Sequence, residues 1–91
     1  MDNNSVCFLD TEFNATDYAE QNDGIQEITE IGAVIFRNGK PVERFLRCCL
    51  IKKGHILTAR CMKITGMIPG KMKRKGIPFI QAMKELGEFL D

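Results

Sequence analysis

Residues 27–51, EITEIGAVIFRNGKPVERFLRCCLI, constrain the fold more than any other stretch. Two strand-like runs flank Asn38-Gly39, and Asn-Gly between such runs is the strongest short-range signal for a β-hairpin. The first run, 27–36, is β-branched and apolar on both faces, as in a strand inside a covered sheet. The second, 41–51, mixes apolar residues with Arg44 and Arg47 and reads as an edge.

VCFLDTEFN, residues 6–14, supplies a further strand over 5–10 that ends in two acids one residue apart. Side chains alternate along a strand, so Phe8, Asp10 and Glu12 share a face. Like charges at the end of a buried strand repel and lose hydration, which demands either a cation or an exit to water. Beyond the hairpin the period changes. TARCMKITG predicts a short helix over 58–65, with Thr58 as N-cap and Gly66 as the left-handed residue after it. MIPGKMKRKG reads as a basic loop. A second, amphipathic helix is predicted over 78–90, its stripe of Phe79, Met83, Leu86 and Leu90 facing the core and Gln81, Lys84, Glu85 and Glu88 facing away. The connection after the first strand is too short for a crossover helix, so the expected fold is α/β: three antiparallel strands with helices stacked on one face.

The 91 residues suffice for one domain, and 44% hydrophobic with 27% charged residues describes a globular chain. A formal net charge of +1 gives no global case for a polyanionic partner. No apolar run approaches the roughly 18 residues of a membrane span, and the N-terminus lacks the basic and apolar regions of a signal peptide. No membrane partner and a cytoplasmic, or otherwise reducing, compartment are expected. Cys7, Cys48, Cys49 and Cys61 form no C-x-x-C pair and read as small buried hydrophobes. His55 has poor spacing for a zinc site and reads as a lone surface histidine.

Asp10 and Glu12 suit hard divalent cations. Mg²⁺ and Mn²⁺ prefer carboxylate, water and phosphate oxygens, and an i, i+2 pair can hold two ions about 3.5–4 Å apart for in-line phosphoryl displacement. A lone D-x-E is common by chance. FLDTEFN, EITEIGAVIF with its Asn-Gly hairpin, and ILTARCMKITGM, taken together and in that order, resemble the N-terminal half of the DEDD 3′–5′ exonucleases. The similarity is greatest to the proofreading and histone-mRNA exonuclease-like branch. The resemblance runs from about Val6 to Leu90 and implies a truncated RNase H-like fold. It further implies that Asp10 and Glu12 are catalytic metal ligands for Mg²⁺ or Mn²⁺, and that Thr11, Phe13, Asn14 and Met67 lie near a 3′-terminal nucleotide of RNA or DNA. Apart from the resemblance, the charge cluster Lys71, Lys73, Arg74 and Lys75 reads either as a solvated loop or as a contact for backbone phosphates.

The same resemblance calls for two further aspartates and a histidine base, and residues 1–91 contain no such motifs. His55 falls in the wrong part of the order, and Asp91 is chain-terminal. The expectation is therefore the N-terminal part of an exonuclease domain, inactive as these 91 residues alone. The alternative is a non-catalytic RNase H-like half-domain serving as an interaction or nucleic-acid-binding module. In either case the apolar edge at 5–10 is expected to recruit another strand or a second copy.

Overall fold

The computed structural model describes residues 4–15 and 21–91. Its order is β1 (Ser5–Asn14), a 3₁₀ turn (Gln21–Gly24), β2 (Glu27–Arg37), β3 (Lys40–Cys49), α1 (Ala59–Thr65), α2 (Pro69–Lys75), β4 (Gly76–Ile77) and α3 (Phe79–Leu90). The expected α/β fold is present: β1, β2 and β3 are antiparallel neighbours. The two-residue β4 adds a parallel pairing at the end of β3, giving a mixed sheet in the order β1-β2-β3-β4.

The hairpin forms as its dipeptide requires. Asn38 and Gly39 both take positive φ, 52° and 78°, between the paired Arg37 and Lys40. That is the turn whose twist matches the flanking strands. The register then slips between Ile35 and Phe36, where β3 carries Pro41, which has no N–H to give the ladder. Helix α1 is capped as expected. Thr58 accepts the Cys61 N–H at 3.1 Å, and Gly66, at φ 76°, donates to the Met62 carbonyl.

Strand alternation divides the sheet. On one face Ile31, Ala33, Phe45 and Cys49 pack against Ala82 and Leu86 of α3, with Cys7, Ile28, Ile77, Phe89 and Leu90 around them. On the other, Cys48 packs with Met67 and with Met72 of α2. Helices thus lie on both faces, not stacked on one, because adjacent Cys48 and Cys49 point oppositely and each finds a helix. Burial pushes both thiols up, Cys49 to about 11, so they act as packing groups.

Three local expectations change. Residues 69–75 form a helix, not a loop, since Pro69 sits in its first turn, where proline is tolerated, and Met72 gains a buried site. The stripe on α3 is rotated: Ala82 and Leu86 are buried, whereas Phe79 and Met83 are about two-fifths exposed, because the small Ala82 lets the helix approach the sheet closely. Glu85 does not face away but accepts from the Arg47 Nε at 2.7 Å. That bond, then one from Gln81, holds its carboxyl below the usual range. Arg47 also lies over the Phe45 ring, 4.4 Å from its centroid.

Leu86 and Ile80 supply a direct test of this packing. Leu86→Ala should cost about 2–5 kcal/mol, while Ile80→Ala, at a side chain 81% exposed, should stay within about 0.5 kcal/mol. Denaturant midpoints for the two variants measure the contrast.

Candidate functional site

β1 runs to Asn14, beyond the 5–10 expected, so Asp10 and Glu12 lie inside a strand and not at its tip. They sit on the face away from α3, where Asp10 pairs with Gly32 and Glu12 with Glu30. Asp10 is exposed and Glu12 half-buried, so water is the exit the acids required. Val6, Phe8 and Leu9 are also more than half exposed; β1 is an edge strand rather than a buried one. Gly32 leaves space beside Asp10, and Phe8, Val34 and Leu46 line an open apolar groove there.

Glu30 was not legible as a site residue, although EITEIG contains it. Cross-strand pairing sets its Cβ about 5 Å from that of Glu12, which gives this face three carboxylates. Like charges directly opposite destabilise a sheet, and the surroundings offset this. Glu30 shares a groove with Arg47, Lys71 and Lys75. The register slips between Glu12 and Phe13, and the buried Thr29 there donates its hydroxyl to the Glu12 carbonyl at 3.3 Å. A bulge at this position sets the direction in which Glu12 projects.

Among the described residues no three His, Cys, Asp or Glu side chains converge closely enough to hold an ion by themselves. The pair nonetheless has the chemistry of a magnesium or manganese site. Such ions are commonly bound through one or two carboxylates, with water and substrate phosphate completing the shell.

The other residues assigned to the nucleotide do not gather around the acids. Alternation puts Thr11 and Phe13 on the α3 face, with Phe13 in a groove of about 400 Å³ beside Ile28, Leu50 and Phe79. Asn14 is fully buried, and its amide is committed: Nδ2 donates to the Ile56 carbonyl at 2.8 Å and Oδ1 accepts from the Thr58 N–H at 2.9 Å. Met67 is 2% exposed and packs against Cys48 and Met72.

Asn14 belongs to a polar clamp that joins three segments. Asn22 exchanges two 2.8 Å hydrogen bonds with the Ile56 backbone, and Thr58 donates its hydroxyl to the Ala15 carbonyl. Glu27 accepts from the Lys52 N–H at 2.6 Å. His55 is not a lone surface residue. Its side chain is only 6% exposed, with Nδ1 2.5 Å from Glu27 Oε1 and Nε2 3.1 Å from Asp23 Oδ2. Ionised carboxylates only accept, so both ring nitrogens carry protons. Hydrogen bonds to Glu27 and then Asp23 raise its pKa above the usual 6.5. Asn22 and Asp23 hold left-handed φ values of 49° and 60°, a strain sustained by the bonds they make. The clamp anchors the end of β1 two residues beyond Glu12.

Solved structures adopt this fold. The nuclease domain of 3′hExo, a DEDDh family member, bound to rAMP, superposes with a TM-score of 0.81 at 18% identity, over 96% of this chain and 44% of that one. This chain has the fold of the DEDDh exonuclease domains. A 3′-exonuclease studied in 3′-end specific recognition of the histone mRNA stem-loop gives 0.79 at 19% identity, over 94% of this chain and 30% of its own. Cell-death related nuclease 4 gives 0.76 at 21%, over 96% and 30%. The chain spans less than half the length of each. No family model and no curated protein matches the sequence.

Because its folded pKa is raised, charged His55 stabilises the fold below its unfolded pKa of about 6.5, and that contribution is lost as pH rises through the folded value. The thermal midpoint should therefore fall as pH rises above about 6.5, and the fall should flatten in His55→Gln. A pH series of melting curves for both proteins checks this.

Proposed function

We propose that this chain is the front part of a metal-dependent 3′–5′ exonuclease domain acting on RNA or DNA ends. The observation that carries the proposal is the position of Asp10 and Glu12: both open to the same side of β1, on the fold of known nuclease domains. Asp10 and Glu12 would hold the divalent ion, and the chemistry it would supply is water activation and stabilisation of charge on the leaving oxygen. The chain's own part is to hold two hard oxygen ligands at fixed spacing. Thr29 and the bulge orient Glu12, the clamp through Asn14 fixes the strand beyond it, and Gly32 keeps the space beside Asp10 clear.

Of the residues assigned to the terminal nucleotide, Asn14 and Met67 serve packing, and Thr11 and Phe13 lie on the face away from the acids. Lys71, Lys73, Arg74 and Lys75 contact backbone phosphates. The outer edge of β1 carries the exposed Val6, Phe8 and Leu9 and pairs with a further strand, from elsewhere in a longer chain or from a second copy. No helix among the described residues is long and apolar enough to cross a membrane. Four unbridged cysteines favour a reducing compartment such as the cytoplasm.

The remaining ligands and the general base lie in motifs that residues 1–91 do not contain, so hydrolysis belongs to a longer domain. The 91-residue chain should bind an oligonucleotide with a free 3′ end several-fold more tightly in manganese than in chelator, and Asp10→Ala should remove that gain. Equal affinity with and without manganese would defeat the metal assignment and leave the binding-module reading. Metal-dependent shortening of the oligonucleotide by these 91 residues would show that the catalytic set is not split.

A further inference from the structure

The net charge of +1 conceals a sharp segregation. Eight of the chain's 13 lysines and arginines fall between Lys52 and Lys75, and no aspartate or glutamate falls there. These residues occupy the β3–α1 connection, α1 and α2. Seven are exposed, and Lys71 is half-buried. Two of the grooves on this side carry the charge. Lys52, Lys53 and Lys73 line one of about 480 Å³ between the connection and α2. Lys71 and Lys75 line another with Glu30 and Arg47. Since Glu30 pairs across the strands with Glu12, the second groove opens beside the carboxylate face, and α2 separates it from the first.

We infer that this side of the molecule is a binding track for single-stranded nucleic acid, running from the acid pair over α2 to Lys52 and Lys53. The direction of the strand, 3′ end at Asp10 and Glu12, and the phosphate contacts of α2 rest on the proposed function; the path through the second groove to Lys52 and Lys53 goes beyond it. A flexible polyanion can follow two grooves around a helix and release counterions from each cation it meets. An anionic membrane is the competing partner, since Ile56, Ile64 and Ile68 are also more than half exposed on this side. A flat bilayer reaches grooves less well than a strand does.

The test uses a 5′-fluorescein-labelled single-stranded oligonucleotide, with binding followed by fluorescence anisotropy in chelator over a range of salt. Omitting metal separates the track from the nuclease reading. The parent should bind, with log K falling linearly against log salt. Lys53→Gln/Lys73→Gln should weaken binding several-fold and reduce the slope by about 1.4, at about 0.7 per single-strand phosphate contact. Lys40→Gln/Lys84→Gln removes the same charge elsewhere and should leave the slope unchanged. Circular dichroism establishes that both variants are folded. An unchanged slope in the first variant, or an equal loss in the second, overturns the track. So does a parent that binds phosphatidylserine vesicles but not the oligonucleotide.

Discussion

Alternation along β1 is the constraint on which the structure turns. Once Cys7 commits to the face under α3, Phe8, Asp10 and Glu12 must point to the opposite side. The antiparallel register with β2 then brings Gly32 beside Asp10 and Glu30 beside Glu12. A slip of one residue would bury the acids against Ile31 and Ala33 and expose Cys7, at a cost in desolvation, since Arg47 on that face is already committed to Glu85. The apolar core and the carboxylate site are two consequences of one register.

Electrostatics follow from the same geometry. Three carboxylates on one face are tolerated because Asp10 reaches water and because Glu30 shares its groove with Lys71 and Lys75. On the far side of the β1 terminus the arrangement is reversed, with the single His55 cation between Asp23 and Glu27. Asn14 and Asn22 complete this clamp by meeting backbone groups of residues 56–58. The positions that fix the end of β1 therefore differ from the acids on its open face, though they lie within two residues of one another.

Local chemistry made some of this legible in the sequence. Asn38-Gly39 requires its turn, Thr58 and Gly66 bracket their helix, and the D-x-E spacing places two acids on one side. Long-range pairing was not legible. Glu30 becomes a neighbour of Glu12 only through the register, and Asn14 looked like a substrate contact because nothing local reveals the backbone of Ile56 and Thr58 above it. His55 looked isolated for the same reason: Asp23 and Glu27 lie about thirty residues earlier in the chain. The α2 helix was hidden by Pro69 and Gly70, which resemble loop residues until the buried Met72 shows what the helix gains.

Paramagnetic relaxation by manganese, read residue by residue in a proton–nitrogen correlation spectrum, tests the central claim most directly. Substoichiometric manganese should broaden the amide signals of Asp10, Glu12, Gly32 and Glu30 first and spare those of Ala82 and Leu86. Broadening centred on Asp23, Glu27 and His55, or spread evenly over all exposed acids, would contradict a divalent-ion site on the open face of β1.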